Sequence, residues 1–475
     1  MKRGQTIILI CTLVFIFFLV YAIHFSYPFP YHIDEWKHIA NAIDVQSGNF
    51  NQIELGFDLF LLALSILSNI LLIYKFLPAF WAVISALTLF YVVYRKTNSN
   101  FWIALFSVIF FASIKSNSNL TGIWFFTPLT FALPFIFLYI YFFTEGIEKQ
   151  NKKYILYSLA IMAFLLPTHA VSVLFAIPIL FVYSLFNFNY LKKEFKFFSL
   201  FLIIPIVGIL FYKIIFNLSW NSVLQHLTNA LQFKYGWGVA EFRNSFFEIY
   251  SPIGFILAFF GISIILFKKE YTKKYLIYIL WPIILLVSIA NYRLFEISFL
   301  SPYQRNLYYF ALGLPFLSAI GLYFIIKPVK NYFEKNNKEK IIKFITILIL
   351  IVLVFFLTFK AYYKLPEQSQ LYKSIDKDDY KALLFIKNLP SGEKIMAELL
   401  VSTAIKPISG KEPLGTIYFT GDKQSVENFF SSEDCKKKEN ILKLKQIRYV
   451  LTKEPIDCNW SIVYNNKNYI YNISL

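Results

Sequence analysis

Gly56-Phe57-Asp58-Leu59-Phe60-Leu61-Leu62-Ala63-Leu64-Ser65-Ile66-Leu67-Ser68-Asn69-Ile70-Leu71-Leu72-Ile73-Tyr74 is the stretch whose reading decides the fold of this chain. Eleven other apolar runs, at about 5–23, 78–94, 101–114, 122–143, 154–168, 170–186, 196–212, 250–267, 274–290, 306–326 and 341–359, read as membrane spans. If residues 56–74 form a twelfth span, every later loop changes sides. Positive residues decide between the two arrangements, because Lys and Arg collect in cytoplasmic loops. With 56–74 lying along the outer surface, 20 of the 29 Lys and Arg before residue 361 fall inside and 9 outside. With it spanning, the split becomes 10 against 19. The expectation is therefore an α-helical polytopic membrane protein of about eleven spans. Its N-terminus is cytoplasmic, and 56–74 is a juxtamembrane helix in a first outer loop over 24–77.

Composition supports this class over a soluble one. The 475 residues would fill about three soluble domains. However, 57% are hydrophobic, only 16% are charged, and the mean hydropathy is +0.56, more apolar surface than a water-soluble core can hide. The formal net charge of +18 sits in short clusters between apolar runs, so nucleic acid is excluded as a partner. The run 6–23 follows Met1, Lys2 and Arg3 as a signal peptide would, but no small-x-small cleavage site succeeds it, and it reads as a retained first span. None of the proposed spans carries Asp, Glu, Lys or Arg near its middle, unlike an ion-coupled transporter. All five histidines fall in segments expected outside, so chemistry is expected at the outer face.

Two domains follow: a transmembrane domain over 1–360, with outer loops 24–77 and 213–249, and an extracytoplasmic α/β domain over 361–475. In the second, helices are expected at 378–388 and 435–446, and strands at 415–419, 448–452, 461–464 and 469–473, with 394–400 either strand or helix. Cys435 and Cys458 share this domain; they pair if it faces an oxidising compartment and otherwise remain two thiols.

Residues 24–58 hold Asp34, Glu35, Asp44, Glu54 and Asp58 against Lys37 alone. At their centre is Tyr31-His32-Ile33-Asp34-Glu35-Trp36-Lys37-His38-Ile39-Ala40-Asn41-Ala42-Ile43, with apolar residues at helical spacing. The pattern predicts an amphipathic interfacial helix with Asp34 near its start, preceded by Pro28 and Pro30. Adjacent carboxylates beside a lipid boundary suit proton transfer to Asp34 or Glu35. The same acids would also complement the helix dipole as a structural first turn. His32 and His38 with Asp34 offer weak ligands for a divalent metal such as Mg or Mn; no cofactor is otherwise implied.

Several motifs resemble the polytopic glycosyltransferases of the GT-C superfamily, which include protein O-mannosyltransferases and aminoarabinose transferases, archaeal and bacterial members in particular. They are the first span followed at once by Asp34-Glu35, Leu77-Pro78-Ala79 opening a span that ends in Tyr94-Arg95-Lys96, Pro167-Thr168-His169 at an outer hairpin, and Ser301-Pro302-Tyr303-Gln304-Arg305-Asn306 opening a late span. The resemblance implies a sugar donor on polyprenyl or dolichyl phosphate and a protein, lipid or glycan acceptor. It makes Asp34 the general base, with Glu35 supporting it or orienting the acceptor. The lipid phosphate would be met by Arg305, and by Arg293, Lys115 and His169 as further candidates. Arg305 can equally be a snorkelling anchor, and His169 a hairpin cap. Lys234 and Arg243 in loop 213–249 stand in an acceptor groove or in an ordinary interfacial loop. The Trp-Trp-Asp-Tyr-Gly motif of oligosaccharyltransferases is absent from the sequence. The leading expectation is an inverting hexosyltransferase of a prokaryotic plasma membrane. Its alternatives are a lipid-linked glycan flippase or transporter and a polysaccharide polymerase or ligase.

Overall fold

The computed structural model describes every residue except 51–52, 117–121, 234–245, 300, 336–338, 363–372, 418–420 and 474–475. Two compact units emerge: Met1–Ile23, Ile53–Phe57 and Phe76–Glu367 form the first, and His24–Gln52, Asp58–Lys75 and Gln368–Leu475 the second.

The helices before residue 363 are α1 (Arg3–Tyr21), α2 (Ile33–Gln46), α3 (Leu55–Leu67), α4 (Ile70–Tyr74), α5 (Leu77–Lys96), α6 (Phe101–Ala112), α7 (Pro128–Glu148), α8 (Lys152–His169), α9 (Val171–Leu174), α10 (Ala176–Leu185), α11 (Phe188–Lys193), α12 (Phe195–Ile215), α13 (Trp220–Leu231), α14 (Pro252–Phe267), α15 (Lys269–Phe295), α16 (Tyr303–Lys335) and α17 (Glu339–Tyr362). Two short strands, β1 (Gln232–Phe233) and β2 (Ser298–Phe299), pair antiparallel. Each of the eleven expected spans lands on helix. Among the described residues, six helices are by length and composition alone suited to crossing a membrane, and α6, α10, α14 and α17 contribute shorter apolar stretches. The chain is thus a membrane protein of helical architecture.

Two expectations need correction. The span expected at 122–143 begins only at Pro128 and runs to Glu148. Thr127 caps it, its N–H donating to Thr130 Oγ1 at 2.9 Å, and Pro128 occupies the first helical position, where its missing N–H costs nothing. The segment 56–74 is two helices and not one, because Asn69 breaks it and its side chain accepts from Leu71 N at 3.0 Å. The 13 residues of α3 reach only about 20 Å, short of a hydrocarbon core of about 30 Å.

In the first unit α16 is the central element, buried from Leu307 to Leu322 and packed on α6, α14 and α15. Gly261 of α14 and Gly321 of α16 let two backbones touch. A Cβ on Gly261 would lie 2.1 Å from Leu317 O, and one on Gly321 2.1 Å from Leu257 O. Helix α12 has no buried residue.

The second unit combines the first loop with the C-terminal region. Its sheet contains β3 (Lys394–Ala397), β4 (Glu412–Pro413), β5 (Tyr449–Thr452), β6 (Ser461–Asn466) and β7 (Asn468–Asn472) in the order β4-β3-β5-β7-β6. Strands β4, β3 and β5 run parallel, and β5, β7 and β6 antiparallel. Helices α18 (Lys377–Lys387), α19 (Leu399–Ser409), α20 (Lys423–Ser431) and α21 (Cys435–Lys445) accompany it. The expected helices at 378–388 and 435–446 and the last three strands are present. The strand expected at 415–419 is not: Gly415 makes a single bridge to Gly421, Thr416 and Ile417 are irregular, and 418–420 lie outside the described residues. The pairing strand is instead β4, a little earlier. Residues 394–400 resolve as strand through Ala397 and helix from Leu399, and neither α19 beyond that point nor α20 was expected. Cys435 and Cys458 are joined by a disulfide, with Cα atoms 5.7 Å apart.

Side chains alternate across this sheet, so each strand feeds two cores. Ile395, Ala397, Leu451 and Ile470 face one core, together with Tyr27, Phe29 and Trp36 of the first loop. Met396, Val450 and Tyr471 face the other. Tyr27 donates its hydroxyl to Ile375 O at 2.8 Å, and Lys373 N–H donates to Tyr31 O at 2.9 Å. Replacing Trp36 by Ala should cost this unit about 3–5 kcal/mol. Thermal unfolding and limited proteolysis should show residues 373–473 melting and cleaving earlier than in the wild type. Cys435→Ser should cost about 3 kcal/mol through the closed loop it opens. Adding reductant should lower the wild-type melting temperature to that of the variant and leave the variant unchanged.

Candidate functional site

In the second unit the N-terminus of α2 organises the acidic loop. His32 is the N-cap, its Nδ1 accepting from Asp34 N–H at 3.1 Å. Glu35, fully buried, turns its carboxylate back to accept from Tyr31 N–H at 2.6 Å and His32 N–H at 3.0 Å. This is a capping box built with His in place of Ser or Thr. Asp34, one residue earlier, points the other way and keeps 27% of its side chain exposed, 3.6 Å from His32 Nδ1. Helical geometry therefore gives the two adjacent acids different surroundings: Glu35 holds the loop, and Asp34 reaches solvent.

His38 is committed elsewhere. Its Nδ1 lies 2.8 Å from Asp58 Oδ1, and Asp58, fully buried, also accepts from Asn41 Nδ2 at 3.3 Å. Tyr74 sits buried within the field of Glu35, Asp58 and Asp34; burial first, and those carboxylates next, push its phenol well above the ordinary tyrosine value. The acid-rich composition of the loop exposed Asp58 as a charge, but nothing in the spacing announced its pairing with His38 twenty residues earlier.

The first unit holds a second cluster. His169 is buried at the end of α8, with Nδ1 2.7 Å from Ser172 Oγ. Ser172 Oγ lies 3.0 Å from Tyr309 OH, which is itself 3.4 Å from His169 Nδ1. On the other side of the ring, Nε2 is 3.7 Å from Glu54 Oε1. Phe175 stacks on the Tyr309 ring at 3.7 Å, and Trp281 Nε1 donates to the backbone carbonyl of Tyr309 at 2.8 Å. Arg305 stands one helical turn before Tyr309, and its charge acts on both Tyr308 and Tyr309. Ser172 and Tyr309 were absent from the sequence reading. Their steps of three from His169 and four from Arg305 were the available signal, visible once those segments are helical.

The Ser301-Pro302-Tyr303-Gln304-Arg305-Asn306 motif is a polar lock ahead of a buried helix. Asn306 Nδ2 donates to Ser298 Oγ at 2.8 Å and Ser288 Oγ at 3.0 Å, while Ser301 Oγ donates to Asn306 Oδ1. Arg293 donates from Nε to Tyr303 OH at 3.0 Å and lies 4.4 Å over the Phe246 ring. Lys115 follows α6, its backbone N–H donating to Ile249 O at 3.0 Å. Lys234 and Arg243 lie outside the described residues.

Among the described residues no three His, Cys, Asp or Glu side chains gather as a metal site. His32, Asp34 and His38 do not converge, since His38 turns to Asp58.

No family model matches the chain, and no curated protein matches it in sequence. Solved structures do match in fold. ArnT from Cupriavidus metallidurans, an aminoarabinose transferase solved with undecaprenyl phosphate, superposes with a TM-score of 0.62 at 11% identity, over 99% of this chain and 98% of its own. The oligosaccharyltransferase AglB of Archaeoglobus fulgidus, solved with an inhibitory peptide and a dolichol-phosphate, gives 0.56 at 12% identity, over 95% and 70%. The same enzyme solved with Zn and sulfate gives 0.61 at 13%, over 93% and 68%. Both are membrane glycosyltransferases of the GT-C superfamily, and this chain shares their fold, as the resemblance of its first loop and late polar motif implies.

Proposed function

We propose that the protein is a glycosyltransferase that moves a sugar from a polyprenyl or dolichyl phosphate to an acceptor hydroxyl, on the extracytoplasmic side of a prokaryotic plasma membrane. The observation that carries this reading is the end-to-end fold likeness to a transferase solved with undecaprenyl phosphate, joined to a partly exposed Asp34 held on a capped helix start. The lysine and arginine distribution supports an outer location for the first loop and the C-terminal region.

In this reading Asp34 accepts the proton of the acceptor hydroxyl as that oxygen attacks the anomeric carbon from the face opposite the phosphate. The new C–O bond forms as the bond between the anomeric carbon and the phosphate oxygen breaks, so the configuration inverts. The lipid phosphate leaves with the bonding electron pair, and Arg305 offsets the negative charge that it gains. Glu35 acts through its two backbone hydrogen bonds, holding the loop so that Asp34 keeps its orientation. Ser172, Tyr309 and Glu54 orient the ring of His169. No step is assigned to a metal.

The test is transfer from radiolabelled polyprenyl-phosphate sugars by membranes carrying wild type or variants. Asp34→Asn, nearly isosteric and unable to accept the proton, should lower kcat by about 10²–10⁴-fold with little change in donor KM. Full turnover by this variant would remove Asp34 from the mechanism. Arg305→Gln should lower kcat by roughly 10²-fold, and Arg305→Lys should recover part of that loss, because a point charge replaces the fork. An Arg305 that serves only as an interfacial anchor would instead give variants with lower protein levels and unchanged turnover per molecule.

A further inference from the structure

Helix α2 presents one narrow stripe that is not buried. Asp34, Lys37, Asn41 and Asp44 recur at steps of three and four and are partly exposed, whereas Glu35, Trp36, His38, Ile39, Ala42 and Val45 between them are buried. The last three residues of the stripe form one wall of a cleft of about 300 Å³, and Lys394, Thr403, Lys406 and Glu412 of the C-terminal region contribute the other. That volume suits a small ligand or the end of a chain.

The chemistry of the walls is specific. Lys406 bridges Asp44 and Glu412, closing the cleft with a cation between two carboxylates. Burial opposes its charge, but the hydrogen bonds it donates to Asp44 and Glu412 outweigh that and hold the ammonium above the ordinary lysine value. Thr403 donates its hydroxyl proton to Leu400 O at 2.6 Å, which leaves its oxygen as an acceptor. Asn41 spends its amide N–H on Asp58, which leaves a carbonyl oxygen. Lys37 and Lys394 supply cationic donors. Among the described residues the lining contains no aromatic side chain, and its apolar members are Ala40, Pro413 and Leu414. The adjacent sheet edge, β4, is two residues long and includes Pro413, so it is a poor template for adding an extended peptide strand. Closely spaced acceptors among cationic donors instead complement vicinal hydroxyls, each of which gives one hydrogen bond and takes others. From Asp44 back to Asp34 the stripe rises about 15 Å along the helix.

We propose that this cleft binds the acceptor and that the acceptor is a carbohydrate chain, lying along the exposed stripe of α2 with its terminal hydroxyl at Asp34. The inference rests on the reading of Asp34 as the base, and its test is arranged to fail separately. Purified full-length protein in detergent, without donor, is titrated with linear gluco-, manno- and galacto-trisaccharides and with an unstructured polar peptide, and binding is read by saturation-transfer NMR. Saturable binding of a trisaccharide is expected. The pair Lys37→Ala and Lys394→Ala should weaken it by about tenfold or more, and Lys381→Ala, on the exposed face of α18, should not. No saturable trisaccharide binding, binding indifferent to the two lysines, or lysine-dependent binding of the peptide alone would each overturn the assignment. Because no donor is present, these results are independent of whether Asp34→Asn abolishes transfer.

Discussion

The packing of Tyr27, Phe29 and Trp36 onto one face of the C-terminal sheet is the contact on which the candidate base depends. A loop that leaves a membrane helix and carries five carboxylates has little reason to order itself, since its charges repel and its backbone groups find water. Burying a Trp and two further aromatics offsets that cost, because each removes a large apolar surface from water. The hydroxyl of Tyr27 is satisfied at Ile375 O, so its burial leaves no unpaired donor. Once Trp36 is anchored, the register of α2 is set, and with it the direction in which Asp34 points.

The adjacent acids at the start of α2 show how one turn of helix separates roles that composition leaves equal. Residues one apart on a helix face about 100° away from each other. Glu35 falls on the buried side and becomes tolerable there only because two backbone N–H groups meet its carboxylate. Asp34 falls on the side that is only partly buried. The buried Asp58 is handled in the same way, by His38 and Asn41. Glu35 and Asp58 are thus enclosed and paired, whereas Asp34, the proposed base, keeps part of its carboxylate exposed.

Within the membrane unit, a buried charge at a helix end is paired. Lys96, almost wholly buried at the end of α5, meets Glu145 at 3.2 Å and also Glu148, which in turn accepts from Tyr183 OH at 2.9 Å. Removing one member would strand the others in a medium of low dielectric, where an unpaired charge is most costly. At the start of α16, Asn306 and its serines tie neutral polar groups together in the same manner. Arg305 therefore projects from a turn whose neighbours are held on both sides.

Much of the fold was legible from the chain alone. Each apolar run of span length landed on helix, because a bilayer leaves the backbone no other way to satisfy its hydrogen bonds. The amphipathic period predicted α2, and the capped, Pro-preceded start put Asp34 at its first turn. The start of α7 was misplaced because apolar character continues upstream of Pro128, while the helix waits for its cap. Helix α19 was missed because a strand runs directly into it, and local pattern cannot resolve so abrupt a change. What only the tertiary structure decided are the pairings between distant residues: His38 with Asp58, His169 with Ser172 and Tyr309, and Lys406 of α19 with Asp44 of α2. Their physical reason is common. A hydrogen bond or ion pair is made by whatever the fold brings within about 3 Å, and proximity of that kind leaves no periodic trace in the order of residues along the chain.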